Sequence, residues 1–321
     1  MQVSVVIPIY NEMQSVPLLH KALHDALGTY PVNWEVVFVD DGSRDGSLQA
    51  LEIIAGQDPD HTRVVALRRN FGQTAAISAG IDYAEGDIIV LMDGDLQNDP
   101  ADIPMLLDKI NEGYDLVSGW RKSRQDAFIT RTFPSRIANW LISQVTGVHL
   151  HDYGCTLKAY RREVLTGFRL YGEMHRFIPA YAGYVGARVT EVVVRHHPRR
   201  FGHTNYGLER TVKVILDLFT VKFLSGYVHK PIYLFGGFGM GLIGLSGTGF
   251  LYLAYRKLVF GAVTTTSPIF LLSIMLTVLG VQSILMGLIA EIVVRTYHES
   301  QSKPIYNVRF VIRGEETQHG A

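Results

Sequence analysis

The chain has 321 residues, of which 47% are hydrophobic and 19% are charged, and its formal net charge is zero. Soluble domains usually carry about 25% charged residues, so this composition indicates one sizeable globular core together with a more apolar segment. The zero net charge argues against a general nucleic-acid-binding protein, which normally has a strongly basic face, and the single cysteine excludes an intrachain disulfide.

Over residues 1–206, short apolar runs bounded by turn residues alternate with helix-like stretches. This alternation predicts an α/β domain with a mostly parallel sheet. In such open sheets ligands bind beyond the carboxyl ends of the strands, so the residues after each strand are the first candidates for a functional site. The predicted strands are Val3 to Ile9, Glu35 to Val39, Arg63 to Leu67, Asp87 to Met92, Leu116 to Ser118 and Val189 to Arg195.

Polar loops follow the first two predicted strands. Carboxylates at such a junction can accept hydrogen bonds from a ribose or from a base N–H. For the second loop, a tight turn closed by a local aspartate hydrogen bond is an alternative, and the sequence leaves both interpretations open. The first loop contains Pro8, Tyr10, Asn11 and Glu12, and the second contains Asp40, Asp41, Gly42 and Ser43.

The fourth predicted strand leads directly into the run Asp93-Gly94-Asp95-Leu96-Gln97. In an extended segment, residues two apart face the same side, so Asp93, Asp95 and Gln97 can converge on one cation. Hard oxygen ligands of this kind suit Mg2+ or Mn2+, either of which bridges diphosphate oxygens. A calcium-binding EF-hand loop is rejected because Asn98 stands where that loop needs glycine. A solvated acidic turn is the remaining alternative.

A further candidate region surrounds Asp152, with His149, His151 and Cys155 close by in sequence. A zinc site would need a third well-spaced ligand that this stretch lacks, so we expect Asp152 to position an acceptor or a sugar hydroxyl instead. Arginine side chains bind phosphate oxygens through two parallel hydrogen bonds. The arginines near predicted element ends are Arg121, Arg136, Arg199 and Arg200.

Two runs toward the carboxyl end contain no charged residue, Pro231 to Tyr255 and Leu258 to Ala290. Each exceeds the roughly 20 residues that a helix needs to cross a bilayer core. We therefore predict a two-helix transmembrane hairpin over residues 231–294 that turns at Arg256 and Lys257. Basic residues flank both outer ends, so the positive-inside rule puts both termini and the catalytic domain in the cytoplasm.

The segments on either side of the hairpin carry weaker signals. Residues 207–230 mix apolar and basic side chains in a pattern that predicts an amphipathic interfacial helix, with an ordinary core helix as the alternative. Within the predicted cytoplasmic tail, residues 295–321, the stretch Pro304 to Phe310 is strand-like. That strand could pair with a neighbouring subunit in a homo-oligomer.

The glycines of the first span match a dinucleotide-binding pattern by letter only. Gly239, Gly241 and Gly244 spell G-x-G-x-x-G, but that pattern needs a preceding strand and a βαβ unit. Inside an uncharged run of membrane length, these small residues, together with Gly237, are expected to let two membrane helices approach closely.

Four features together carry a family resemblance: VVIPIYNE, VVFVDDGSRDGS, the run from Asp93 to Gln97, and the terminal hairpin. Over almost its whole length the chain resembles the family 2 glycosyltransferases that act on polyprenyl phosphates. RNFGQTAAISAG and DYGCTLKAYRR are most similar to the bacterial undecaprenyl-phosphate aminoarabinose transferases. Bactoprenol glucosyltransferases and dolichol-phosphate mannose synthases are more distant relatives in this comparison.

The resemblance implies a GT-A fold, which is a Rossmann-like α/β domain, with Asp40 and Asp41 near the nucleoside. The family's Arg-x-x-Gly-x-Ser-Lys-Tyr element begins here at Arg199, but Thr204-Asn205 replaces Ser-Lys and removes one cation. The expected catalytic residues are Asp95, Arg121 and Asp152. The expected nucleotide-binding residues are Pro8, Tyr10, Asn11, Glu12, Asp40, Asp93 and Gly94; the metal ligands are Asp93, Asp95 and Gln97; and the phosphate-binding residues are Arg121, Arg136, Arg199 and Arg200.

The implied reaction is inverting transfer of a sugar from a nucleotide diphosphate sugar, with uracil expected over guanine, to undecaprenyl or another polyprenyl phosphate. It would take place at the cytoplasmic face of the inner membrane and serve cell-envelope glycan or lipid modification. One alternative is a processive polysaccharide synthase, which usually has a Q-x-x-R-W element and more spans. The other is a non-enzymatic nucleotide-binding membrane protein, although spans without ionisable residues offer no polar path for transport.

Overall fold

The structure is a computed structural model that describes residues 2–122, 143, 147–166, 178–198, 231–261, 267–300, 306–314 and 316–319. These residues form two compact units. The first is an α/β unit that also includes the last described residues of the chain, and the second is a pair of long helices. Each unit is described by itself.

One mixed sheet forms the centre of the α/β unit. In the described part of the chain it has nine strands in the order β7-β5-β6-β4-β1-β2-β3-β8-β9, and only β6 and β8 run against the others. The strands are β1 Gln2–Ile9, β2 Asn33–Asp40, β3 Thr62–Leu67, β4 Ile88–Leu91, β5 Leu116–Trp120, β6 Lys158–Arg161, β7 Val189–Val193, β8 Val308–Arg313 and β9 Glu316–His319.

Helices cover both faces of this sheet. Alternate residues of β1 divide between two hydrophobic clusters: Val5 and Ile7 pack with α1 (Val16–Leu27), α2 (Ser47–Gln57) and α4 (Ile103–Asn111), whereas Val6 packs with α3 (Gln73–Tyr83). In α1, Leu19, Leu23 and Leu27 are buried at a spacing of one helical turn. The helices are α1 Val16–Leu27, α2 Ser47–Gln57, α3 Gln73–Tyr83, α4 Ile103–Asn111, which follows a 3₁₀ turn at Pro100–Asp102, α5 Arg162–Leu165 and α6 Ile178–Tyr184.

All six strands predicted for this domain are present, with end points that shift by one or two residues. The sequence did not predict β6, which lies between β4 and β5 and is antiparallel to both. Its four residues, KAYR, are too few and too polar at their ends to give a strand pattern, yet Ala159 and Tyr160 are fully buried. Pairing on both sides therefore makes this segment a strand.

The tail joins the sheet of its own chain. β8 lies between β3 and β9, with Val311 opposite Val65 and Phe310 opposite Ala66. The prediction that this segment pairs with a neighbouring subunit is therefore wrong for β8, whose two edges are both occupied. The strand also begins later than predicted, at Val308 instead of Pro304.

The second unit consists of α7 Pro231–Phe260 and α8 Pro268–Ser300. Their segments Phe235–Phe260 and Pro268–Ala290 are long and apolar enough to cross a membrane. The predicted turn at Arg256 and Lys257 is wrong, because α7 continues through both residues. It ends at Phe260 and is followed by Gly261, whose φ of 62° is the left-handed conformation that commonly follows a helix, and Pro268 begins α8.

The two long helices cross closely at one pair of glycines. A Cβ atom on Gly239 would lie 2.6 Å from the carbonyl oxygen of Gly280, and a Cβ on Gly280 would lie 2.8 Å from that of Gly239. Small residues thus permit close approach, as expected, but Gly237, Gly241 and Gly244 have no such neighbour within 4 Å.

We expect Val311→Asp to destabilise the α/β unit, because Val311 is buried against Val65 in the cluster beneath α3. Burying an unpaired carboxylate should cost about 3 kcal/mol, which lowers the thermal midpoint of a domain of this size by about 6–12 °C. Arg309→Asp is the matched control, since Arg309 lies on the same strand and is exposed. Thermal unfolding of the full chain in detergent compares them, and equal midpoints would contradict the inclusion of β8 in the sheet.

Candidate active site

The predicted site residues follow strands that end at the same edge of the sheet. β1, β2 and β4 are parallel neighbours, and β5 runs in the same direction. Their loops therefore meet at one edge, the usual ligand-binding edge of an open α/β sheet. The described residues at this edge are Pro8, Tyr10, Asn11, Glu12, Asp40, Asp41, Asp93, Gly94, Asp95, Gln97 and Arg121.

The two aspartates after β2 have different roles. Asp41 accepts hydrogen bonds from the backbone N–H groups of Phe71 and Gly72, at 2.7 and 2.9 Å, so its carboxylate holds the chain that enters α3. Asp40 forms the local turn considered above, accepting from the Ser43 N–H at 3.3 and 3.4 Å. Burial raises the pKa of both carboxyl groups above its usual value.

Gly42, next to these aspartates, brings two loops into backbone contact. Its φ is 70°, and a Cβ atom there would lie 2.6 Å from the carbonyl carbon of Arg69 and 2.7 Å from the nitrogen of Asn70. A side chain would therefore be strained by conformation and also collide with backbone. The loop after β2 is packed directly on the loop after β3.

Asn11 and Glu12 tie the first loop to the second. The Asn11 N–H donates to Ser43 Oγ at 3.0 Å, and Asn11 Oδ1 accepts from the Arg44 N–H at 2.9 Å. The Glu12 N–H donates to Ser47 Oγ at 2.8 Å. Asn11 also has a positive φ of 56°, which asparagine tolerates better than most residues. These contacts show that both residues support loop structure, whereas the Tyr10 side chain is exposed.

Asp93 receives hydrogen bonds from two distant parts of the chain. Gln73 Nε2, at the start of α3, donates to Asp93 Oδ1 at 2.7 Å, and Thr156 Oγ1 donates to Asp93 Oδ2 at 2.8 Å. Asn98 Nδ2 in turn donates to Thr156 Oγ1 at 2.9 Å. These donors are neutral, so they orient the Asp93 carboxylate without cancelling its charge.

Asp95 lies in a bend of the chain. Its Oδ1 accepts from the Gln97 N–H at 3.1 Å, and Leu96 between them has a positive φ of 61°. Gly94 packs on the end of β1, where a Cβ would lie 2.5 Å from Ile9 Cδ1. The carboxylate oxygens of Asp93 and Asp95 and the amide oxygen of Gln97 are hard donors, a chemistry that suits Mg2+ or Mn2+ better than a softer metal.

Arg121 and Asp152 form a buried ion pair. Arg121 Nε and Nη2 donate to the two carboxylate oxygens of Asp152 at 2.7 and 3.0 Å, a bidentate arrangement. Burial alone would lower the pKa of Arg121, but the hydrogen bonds and charge of Asp152 outweigh it and raise the pKa, with a smaller contribution from the charge of Asp93. Arg121 therefore stays positively charged beside Asp152.

The zinc alternative near Asp152 receives no support from the described residues. His151 stacks on Trp120 at 4.2 Å between ring centroids and its Nδ1 contacts Glu191 Oε1. Asp152 faces Arg121 instead of a histidine. Of the residues that the structure describes, no metal-binding set includes His149, His151 or Cys155.

The segment after β7 leads toward the arginines that lie outside the described residues. The His197 N–H donates to the Gln97 carbonyl at 2.9 Å, and His196 forms an antiparallel bridge with Asn98. The chain is thus attached to the acidic loop just before Arg199. Arg136, Arg199, Arg200 and the element that contains Thr204 and Asn205 lie outside the described residues.

Three residues that matter for this geometry were not predicted as site residues. Gln73 and Thr156 bind Asp93, and Lys158 is buried and donates to the carbonyl oxygens of Tyr153 and Cys155, which fixes the loop between Asp152 and Thr156. All three lie in the stretches RNFGQTAAISAG and DYGCTLKAYRR. These stretches carry part of the family resemblance, but nothing in their sequence links Gln73 or Thr156 to Asp93.

Comparison with known proteins identifies the family. Residues 4–168 match the family described as Glycosyl transferase family 2. The chain belongs to this family. This membership confirms the resemblance inferred from the sequence and makes the protein a glycosyltransferase.

Two relatives match nearly the whole length of this glycosyltransferase. A dodecaprenyl-phosphate galacturonate synthase of Rhizobium johnstonii is 45% identical over 312 residues, which cover 96% of this chain and 92% of that protein. An undecaprenyl-phosphate 4-deoxy-4-formamido-L-arabinose transferase of Klebsiella pneumoniae is 38% identical over 318 residues, which cover 98% of this chain and 95% of that protein.

A solved structure shares the fold. It is a glucosyl-3-phosphoglycerate synthase of Mycobacterium tuberculosis in complex with Mn2+, UDP and phosphoglyceric acid, with a TM-score of 0.51 and 20% identity, covering 69% of this chain and 78% of that one. The likeness confirms the GT-A fold expected from the sequence. At this level of identity it shows the fold alone.

We expect Asp41→Ala to loosen the loop that carries Gln73. Losing the two hydrogen bonds to Phe71 and Gly72 should cost about 2 kcal/mol and increase amide hydrogen exchange in residues 68–74. Asp60→Ala is the control, because Asp60 is an exposed loop aspartate. Unchanged exchange in Asp41→Ala, measured by mass spectrometry on both variants, would show that the aspartate does not order this loop.

Proposed function

We propose that this glycosyltransferase transfers a sugar from a nucleotide diphosphate sugar, with uracil as the base, to the phosphate of a polyprenyl phosphate, with inversion at the anomeric carbon. The observation that carries the proposal is the near full-length similarity to two relatives whose names share a polyprenyl phosphate, at 45% and 38% identity. The donor sugars in those two names differ. The proposal therefore covers the acceptor class and leaves the sugar to experiment.

The nucleotide would lie along the loops after β1, β2 and β4. Asp40 and the exposed Tyr10 are the side chains we expect to meet the nucleoside, with Pro8 and Gly94 shaping the floor beneath it. Asn11 and Glu12 would contribute by holding the first two loops together, since both are engaged by the loop after β2.

Asp93, Asp95 and Gln97 would hold the divalent metal, Mg2+ or Mn2+. When bound, such an ion supplies electrostatic stabilisation for the negative charge that grows on the departing nucleotide diphosphate. Gln73 and Thr156 would keep the Asp93 carboxylate oriented, because each already donates a hydrogen bond to one of its oxygens. The protein thus supplies a preorganised anionic loop.

The acceptor phosphate would bind near Arg121, together with Arg136, Arg199 and Arg200. Arg121 Nε and Nη2 face Asp152, so Nη1 is the atom that we expect to meet a phosphate oxygen. A phosphate monoester has a second pKa of about 6 and is largely a dianion near neutrality. It can attack without a general base, so the role of Asp152 would be to position Arg121.

Membrane anchoring suits this acceptor, because a polyprenyl chain lies in the bilayer and its phosphate lies at headgroup depth. α7 and α8 contain segments of the required length and hydropathy. Residues 207–230, for which the sequence predicts an interfacial helix, lie outside the described residues. By the distribution of basic residues, both termini and the catalytic domain would face the cytoplasm at the inner membrane.

The decisive experiment supplies purified full-length protein with undecaprenyl phosphate and a panel of radiolabelled UDP- and GDP-sugars, with Mg2+ or Mn2+. We expect label in the organic extract from one UDP-sugar, and loss of that product with chelator. A water-soluble polymer would instead favour a processive synthase. Folded protein that labels no lipid from any donor would refute the proposed acceptor, and product that persists in chelator would refute the metal.

Asp95→Asn should reduce transfer more than Asp152→Asn. Asp95→Asn removes a charged metal ligand, for which we expect about 100-fold or more loss of kcat/KM. Asparagine at position 152 keeps one acceptor for Arg121, and a neutral hydrogen bond is about half as strong as a charge-assisted one, so the loss should be about tenfold. Thermal midpoints of both variants control for folding, and equal losses of activity would assign Asp152 a direct chemical role.

A further inference from the structure

A cluster of histidines lies at the opposite edge of the sheet from the candidate active site. His20 and His24 are four residues apart on α1 and therefore share one face of the helix. Asp58 follows the end of α2, just before β3 begins at Thr62. The amino ends of the parallel strands define this edge, so the cluster takes no part in the loops described above.

The ligand atoms of three side chains converge. His20 Nε2 and His24 Nε2 lie 2.9 and 2.7 Å from the same oxygen of Asp58, Oδ2. One ligand atom from each of the three residues falls within 4.8 Å of the others. Two imidazole nitrogens and one carboxylate oxygen at these separations can hydrogen-bond to one another, and they can also serve together as the ligands of one metal ion.

Neighbouring residues fix the orientation of the carboxylate. His61 Nδ1 lies 2.9 Å from the other oxygen, Asp58 Oδ1, and the His61 ring stacks on Trp34 with 4.5 Å between centroids. The Thr62 hydroxyl donates to Asp58 Oδ2 at 3.3 Å. In known metal sites, residues that hydrogen-bond to a ligand side chain orient that ligand and strengthen metal binding.

We propose that His20, His24 and Asp58 bind a Zn2+ ion that fastens α1 to the turn between α2 and β3. Imidazole and carboxylate ligands suit Zn2+, which binds them at about 2.0–2.2 Å in a tetrahedral arrangement. Ligand atoms of such a site are then about 3.3–3.6 Å apart. The present separations from Asp58 Oδ2 need to open by about half an ångström, which small rotations of the histidine side chains provide.

The cluster is partly exposed to solvent, which gives a metal ion a path to the three ligands and lets a water molecule serve as the fourth. The His24 side chain is 36% exposed, whereas those of His20 and Asp58 are 17% and 15% exposed. Water can therefore reach the ion and complete the tetrahedron. The histidine nitrogens distinguish this site chemically from the loop of Asp93 and Asp95, whose oxygen ligands prefer Mg2+ or Mn2+.

Metal binding is tested on tag-free, full-length protein in detergent, with excess Mg2+ present to occupy the carboxylate loop. We expect equilibrium dialysis against micromolar Zn2+ to give one bound Zn2+ per chain by atomic spectroscopy, and Zn2+ to raise the thermal midpoint. His24→Gln should weaken binding by at least about tenfold and lose the midpoint shift. His149→Gln is the matched control, because His149 is an exposed histidine outside the cluster.

A second variant and a spectrum keep the test decisive. Asp58→Asn should weaken Zn2+ binding in the same way, and Co2+ substituted into the wild type should give the visible absorption of a tetrahedral ion with nitrogen ligands. Absence of bound Zn2+ in folded wild type would overturn the proposal. Equal Zn2+ uptake by wild type, His24→Gln and Asp58→Asn would do so as well, and the cluster would then be a hydrogen-bond network only.

Discussion

Both oxygens of the Asp93 carboxylate are held by residues that are far away in sequence, and the geometry of the site depends on this arrangement. Gln73 comes from the start of α3 and Thr156 from the loop before β6. Gln73 is itself placed by Asp41, which binds the backbone of Phe71 and Gly72. These hydrogen bonds join the loop after β3 and the loop before β6 to the acidic loop after β4.

The acidic residues of this edge therefore divide according to what their oxygens bind. Asp41 is buried and binds backbone amides, although burial still raises its pKa, whereas Asp152 is buried and binds a guanidinium. Asp95 is less buried and forms a hydrogen bond within its own turn. Asp93 and Asp95 are the carboxylates that we expect to meet a cation at this edge of the sheet.

Most of the domain could be predicted because its central strands are fully buried apolar runs and their carboxyl ends define the site. Within the α/β domain, the failures have a common cause in nonlocal pairing. β6 is a strand because β4 and β5 flank it, and β8 finds its partner, β3, far back in the chain. Gln73 and Thr156 carry no pattern that links them to Asp93.

The hairpin turn was misplaced for a local reason. Arg256 and Lys257 are good helix formers, whereas Gly261 and Pro268 are the residues that mark the end of one helix and the start of the next.

The Arg121–Asp152 pair also bears on turnover in the proposed reaction. The acceptor is a phosphate monoester that is largely a dianion, whereas the product is a phosphodiester with a single negative charge. A cationic site therefore attracts the substrate more strongly than the product. An arginine without a partner would hold both more tightly, whereas Asp152 offsets part of the positive charge and weakens the attraction for substrate and product alike. A positioned and partly neutralised arginine thus favours binding of the lipid phosphate while allowing release of the glycosylated lipid.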